Sequence, residues 1–446
     1  MAEKNNAITE GIIWKEMLIF VLPIFLSYLF QNLYNSVDSL IVGNLVSKEA
    51  LAAVSNCSTV TNIMVGFFTG LSSGAMTIFS RYYGAKKYDE LDKSVHTALA
   101  FAVMFGLLMT ITGYFASNTL LKLMHYPQDV IYFALPYLQV YFLGSIFSAV
   151  FNICSGVSRS IGDSKTPFYI LLLTTALNVI FDLLFTAVFN LAVVGVALST
   201  VFAQLISALV IIKILMGKKE YFNIRLSKIK IDKYYLSEIV SQGLPAGIQT
   251  CMISLSNSLM QRYVNSFDTN IITGIGVAKK IDSFVAMPCQ SFGIATATFV
   301  SQNYGCQKKE RIKKSVITAM LLMAISVTLL CVPITIFSDE LVGLFNRDPQ
   351  VIKAGTAMVR VIAPLYIVNG LMEIFFGLNR GFKKAIQVMI FSMLAMIVVR
   401  QTFLAIAFSM AHDIFFIHIC YPLCWTIALI FNMVYYFGWV RNEYLR

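Results

Sequence analysis

The sequence predicts an all-α membrane protein whose twelve transmembrane helices form two parallel six-helix repeats, and three observations carry that reading. Of its 446 residues 58% are hydrophobic and only 13% charged, too few polar side chains to cover a water-soluble surface. The apolar residues fall in blocks of about twenty or more, the length a helix needs to cross the hydrocarbon. A shift of about 222 residues also lays the second half of the chain on the first.

Taken in order, the spans begin near Met17, Ala50, Ser94, Val130, Thr166 and Ala192, then near Leu236, Ile271, Lys313, Val351, Ala385 and Ile414. This divides the chain into an N-terminal lobe (1–216), a basic linker (217–235) and a C-terminal lobe (236–446). The opening stretch MAEKNNAITEGIIWKEM carries both charge signs and no small-residue cleavage site, so it reads as a retained cytoplasmic tail.

Charge sets the orientation. The net charge of +11 lies in clusters between apolar blocks, among them Arg81/Lys86/Lys87/Lys93, Arg159/Lys165, Lys308 to Lys314 and Arg380/Lys383/Lys384. Roughly 25 of the Lys and Arg residues fall at the even-numbered junctions. Only Lys48, Lys122, Arg347 and Lys353 lie in the opposite loops. Both termini are therefore expected in the cytosol of a bacterial inner membrane, with anionic lipid rather than nucleic acid facing the basic loops.

The repeat aligns Pro23 with Pro245, Asn35 with Asn257, Ser36 with Ser258 and Val42 with Val264. After a one-residue gap it aligns Ser80 with Ser301, Tyr83 with Tyr304, Gly84 with Gly305, Gly156 with Gly377 and Arg159 with Arg380. Six spans per half is an even number, so both halves enter the membrane the same way up. This implies an axis along the membrane normal and a substrate path between the lobes.

An ionisable side chain at membrane depth is costly and marks a functional candidate. The first span places Ser27, Gln31, Asn35 and Asp38 on one stripe. Pro23 precedes them and permits a kink. The fifth span repeats the theme with Thr174, Asn178 and Asp182, and the sixth offers the hydroxyl of Thr200. These oxygens suit Na⁺, and the same carboxylates can instead carry H⁺; an Asn–Asp pair can equally serve only to tie helices together. The second half differs, with Met260 where the repeat would place a partner for Asp38. There Arg262, Lys279 and Lys280 read as snorkelling span-end residues. Glu373 and Arg400 read either as an internal ion pair or as substrate contacts. Gln31, Tyr34, Asn35, Asn152, Asn257, Gln290, Glu373 and Arg400 are the candidates for lining a substrate cavity.

Several chemistries find no foothold. No Gly-rich phosphate loop of the Walker type is present. His96, His125, His412 and His418 show no metal spacing, and the eight cysteines are scattered, with only Cys420 and Cys424 sharing a helix face. No nucleophile–base arrangement can be assembled, so the chain does not read as an enzyme, and no cofactor is expected beyond H⁺ or Na⁺ as coupling ion.

The stretch Tyr34-Asn-Ser-Val-Asp-Ser-Leu-Ile-Val-Gly43, followed by Ala50-Leu-Ala-Ala-Val54, resembles the first-span signature of MATE transporters. Arg159-Ser-Ile-Gly-Asp-Ser-Lys-Thr-Pro167, leading into Asn178-Val-Ile-Phe-Asp182, is similar to that family's fourth-to-fifth junction, and Val300-Ser-Gln-Asn-Tyr-Gly305 to its eighth-span ending. The resemblance covers nearly the whole chain. It implies a V-shaped pair of six-helix bundles, monomeric, that expels amphipathic or cationic small molecules in exchange for H⁺ or Na⁺. It also implies a cation site of Asp38, Asn178, Asp182 and Thr200, coupled to bending of the first span near Pro23. Asn369 in the tenth span, with Glu373 one turn later, departs from the NorM branch and favours a DinF-like reading. A lipid-linked glycan flippase of the same superfamily is the alternative, and a structural or receptor role would leave the duplication and the buried acids unexplained.

Overall fold

The computed structural model describes residues 7–45, 48–123 and 128–444, and no strand occurs among them. Among the described residues the long helices fall into twelve segments. In the first half these are α1 (Ile13–Leu45), α2 (Lys48–Gly84), α3 (Tyr88–Leu123), α4 (Gln128–Leu143 and Ser145–Ser160), α5 (Lys165–Asp182, continuing as a π-helix over Leu183–Val188) and α6 (Ala192–Met216). In the second half they are α7 (Lys233–Val264), α8 (Thr269–Gly305), α9 (Lys309–Ile336) and α10 (Pro349–Ile362 and Tyr366–Gly381). The last two are α11 (Ala385–Met393, a π-helical stretch Leu394–Val399, then Arg400–Met410) and α12 (Phe415–Tyr435, a π-helical stretch Tyr436–Val440, then Arg441–Tyr444). Every start lies within a few residues of the sequence expectation.

Among the described residues ten of these helices are long and apolar enough to cross a membrane, and α4, bent 47° at Gly144, makes an eleventh. The twelfth is α7, whose Ser237, Glu238, Ser241, Gln242, Gln249 and Thr250 dilute its apolar character. The exterior follows the same logic. On α9, Ile317, Leu321, Ile325, Leu329, Val332 and Ile336 are all exposed and recur at three- and four-residue spacing. They form a strip whose natural solvent is acyl chain.

Local signals fix several helix starts. Asp268 accepts from Asn270 N (2.9 Å) and Ile271 N (3.0 Å) to cap α8. Asp348 accepts from Gln350 N (2.8 Å) ahead of Pro349 at the start of α10.

The chain packs into two compact units. One joins the residues up to Phe25 to those from Ile248 onward, and the other is Leu26–Gly247. Packing therefore divides the chain elsewhere than at the 217–235 linker read from the sequence. Phe20 near the start of α1 meets Phe299 of α8 edge-on (6.0 Å between centroids). The beginning of α7 lies against α2, where a Cβ on Gly70 would sit 2.4 Å from Ala246 O and one on Gly74 2.2 Å from Gln242 O. Glycine lets the two backbones approach that closely. The linker itself is strapped to the start of α3: Asn223 N donates to Asp92 Oδ1 (2.7 Å), Arg225 N to His96 Nε2 (3.2 Å), and Tyr221 meets the Tyr83 ring at 5.3 Å. In the other unit, Arg311 Nε and Lys308 Nζ hold the short helix Ala7–Glu10 through Ile8 O (3.0 Å) and Thr9 O (2.9 Å).

The Gly-Asp-Ser-Lys-Thr-Pro motif before α5 has a structural explanation. Gly162 turns the chain at φ 89°, a conformation open chiefly to glycine. Asp163 then accepts from Thr166 N (3.0 Å) and Thr166 Oγ1 (2.7 Å), capping α5. Lys218, just beyond α6, pairs with it at 2.5 Å. Burial works to raise the Asp163 carboxyl, but Lys218 and Thr166 outweigh it and hold the group below its ordinary value of 3.8. A depressed carboxyl stabilises fully above its unfolded pKa and loses that contribution as pH falls through the folded one. Asp163→Ala is therefore expected to cost about 1–2 kcal/mol at neutral pH. In thermal unfolding, its deficit against wild type should shrink as the buffer is taken into acid.

Candidate functional site

The polar stripes of α1 and α5 meet inside the Leu26–Gly247 unit. Tyr34 and Asp38 are one turn apart on α1, as are Asn178 and Asp182 on α5, so each pair projects from one face. Asn178 and Asp182 are fully buried and Thr200 is nearly so. With its amide nitrogen turned toward the acids, Asn178 donates to Asp38 Oδ1 (2.9 Å) and Asp182 Oδ2 (3.1 Å). The two carboxyls also lie within hydrogen-bonding reach of each other. Tyr34 Oη and Thr200 Oγ1 share a hydrogen bond of 3.1 Å, and Thr200 also donates to Val196 O (3.2 Å). Asp182 Oδ1 is buried without a partner.

Two carboxylates held this close in a water-poor setting repel each other, and one proton or one cation between them removes the repulsion. Asp182 is the last residue before the π-helical stretch of α5; such interruptions are frequent at functional positions.

Three contributors were not singled out from the sequence. Ser199, whose Oγ donates to Gly195 O (2.9 Å), lies in the electrostatic neighbourhood of Asp182, and Tyr137 and Tyr141 of α4 in that of Asp38. The signal available for the tyrosines was their four-residue spacing, which stacks their rings at 6.0 Å. Ser199 carried no signal beyond adjacency to Thr200.

The remaining candidates disperse. Pro23 is buried inside α1, where it removes one backbone donor, and Gln31 is half-buried on the same helix. The side chain of Asn35 lies outside the described residues. Asn152 is tied into helix packing, accepting from Thr69 Oγ1 (3.3 Å) and donating to Ser148 O (2.8 Å). Gln290 is exposed.

The second unit corrects one expectation. Glu373 and Arg400 do not pair: the charged neighbour of Glu373 is Arg380. Arg400 instead donates to Asn257 Oδ1 (2.7 Å), because α11 turns it toward α7. Lys279 has a polar partner of its own. It lies well inside α8 and donates to Gln261 Oε1 (2.8 Å). Asn369 is buried on α10.

Comparison with known proteins bears on the whole chain. The family model described as MatE matches twice, over residues 23–184 and 245–406. The starts and the ends of the two matches are both offset by 222 residues, the shift of the internal repeat. The "Probable multidrug resistance protein YoeA" of Bacillus subtilis is 27% identical, over 97% of this chain and 96% of its own length. The "Multidrug export protein MepA" of Staphylococcus aureus is 24% identical, over 82% and 81%. Among solved structures, an outward-facing "multidrug resistance MATE family transporter of the MOP superfamily" superposes with a TM-score of 0.90 at 20% identity. That match covers 100% of this chain and 99% of the other.

Proposed function

This chain belongs to the MatE family of membrane transporters, and from that premise we propose that it is a secondary efflux antiporter for amphipathic or cationic organic compounds. Entry of H⁺ or Na⁺ at Asp38, Asn178, Asp182 and Thr200 drives the export. One observation carries the reading: two carboxyls joined by a single buried amide among otherwise apolar helices. Such a pair has no structural economy, since apolar residues of similar volume would pack at least as well. It does have a use as a binding site that discharges its own repulsion by taking up a cation.

The relatives named as multidrug exporters support the substrate class. They give no support to the glycan-flippase alternative. The basic loops support a cytoplasmic location of both termini in a bacterial inner membrane.

The test uses proteoliposomes loaded with a fluorescent organic cation. A pH gradient and a Na⁺ gradient are imposed separately, each directed to enter as substrate leaves. Efflux is expected to accelerate under one of them. Efflux indifferent to both would rule out coupling by either ion.

A further inference from the structure

The buried acid site has a counterpart in the second half, and its polarity is inverted. At the 222-residue offset that the starts and the ends of the two family matches share, Met260 stands opposite Asp38, Arg400 opposite Asn178 and Leu404 opposite Asp182. Ser256 and Asn257 stand opposite Tyr34 and Asn35. Both acids are thus replaced by buried apolar side chains, and their bridging amide by a guanidinium.

Arg400 is 2% exposed near the middle of α11. Among the described residues no carboxylate touches it. Nη1 donates to Asn257 Oδ1 (2.7 Å) and lies 3.4 Å from Ser256 Oγ; Nη2 lies 3.3 Å from Met396 Sδ. The ring of Tyr421 is 5.4 Å from Cζ, and the thiols of Cys420 and Cys424 are in electrostatic reach. Nε is buried with no partner. A guanidinium at membrane depth ordinarily meets a carboxylate.

A second cation lies within electrostatic reach of Arg400: Lys279, whose Nζ is held by Gln261 Oε1 at 2.8 Å. Among the described residues Asp282 is the one carboxylate in electrostatic reach of Lys279. Tyr366 Oη donates to its main-chain carbonyl (3.3 Å), and the two cations face that single carboxylate. Asn257 and Gln261 are one turn apart on α7, and Asn257 is exposed. Their amide oxygens each accept from one of the two cations, as a pair of oxyanion oxygens would.

We propose that Arg400 and Lys279, with Asn257 and Gln261 as displaceable covers, form a subsite for an oxyanion, a carboxylate or phosphate carried by the transported molecule. The exported compounds then include amphipathic acids and zwitterions as well as cations. This deepens the export reading by naming a substrate class, and it is tested by binding without any gradient.

The probes are dansylglycine and its methyl ester, followed by fluorescence on the purified full-length protein. Wild type is expected to bind the acid about tenfold more tightly than the ester. Arg400→Gln should bring the two within about twofold. Asn257→Asp supplies an internal carboxylate to Arg400, so it should do the same while keeping the protein folded if Arg400→Gln does not. Asp182→Asn should keep the full preference although export is lost, which separates this site from the coupling reading.

Nanodiscs with and without phosphatidic acid distinguish the source of the oxyanion. If the lipid abolishes the preference for the acid, it competes through its phosphate. If the preference is unchanged, the oxyanion belongs to a soluble substrate. An equal affinity of wild type for acid and ester, or a preference that survives in both Arg400→Gln and Asn257→Asp, overturns the proposal.

Discussion

Asp38→Asn and Asp182→Asn, assayed one at a time in proteoliposomes, are expected to collapse the substrate gradient that the protein sustains. A potential of 100 mV is worth about 2.3 kcal/mol for each charge that moves inward. Converted to a concentration ratio, this is a factor of about fifty for each coupled charge. Asparagine keeps the size of the side chain and one acceptor oxygen, but it holds neither a titrating proton nor a charge for a cation, so that factor is lost.

The double variant should be no worse than either single one, because the acids act as one unit. Stability should move the other way. Asp182 Oδ1 is buried without a partner, and replacing a buried charge by a neutral isostere is neutral or stabilising. Thermal unfolding in detergent should therefore show the variants at or above wild type while transport fails. Undiminished accumulation by both variants would remove the pair from the coupling step.

A second large effect is expected from Gly377→Ala on α10, and its repeat partner provides the control. A Cβ at Gly377 would sit 2.1 Å from Gly293 O of α8, and a backbone carbonyl inside a packed helix cannot move aside. The helices must separate, at a cost of about 3 kcal/mol. At Gly156 the added carbon would meet Ser72 Oγ at 2.6 Å, the far end of a side chain that can rotate away. The loss there is the hydrogen bond from Ser72 Oγ to Asn152 O, about 1 kcal/mol. Unfolding of the two variants side by side should order them in that sense, and equal losses would mean that the α8–α10 contact relaxes freely.

Much of this was legible in the chain before any coordinates. The apolar blocks placed all twelve spans, α7 near Leu236 among them, and the repeat that sets Pro245 and Asn257 opposite Pro23 and Asn35 agrees with that placing, although α7 is too polar to stand out by hydropathy alone. Spacing put Asn178 with Asp182 on one face. It could not show that Asn178 would reach across to Asp38, because that contact depends on how two helices cross. The same gap produced the one error. Opposite charge brought Glu373 and Arg400 together on paper, but α10 turns Glu373 toward Arg380 while α11 turns Arg400 toward α7.

The polar character of α7 has a consequence for how the protein is made. Apolar segments leave the insertion machinery sideways into lipid because each gains by doing so on its own. Residues 233–250, with Lys233, Glu238, Gln242 and Gln249, gain too little. Their welcome is the backbone groove that Gly70 and Gly74 open on α2, a helix finished roughly 150 residues earlier in synthesis. Filling that groove with larger side chains would deny the seventh segment its seat, and the nascent chain would be cleared by quality control before it could ever be assayed as a transporter.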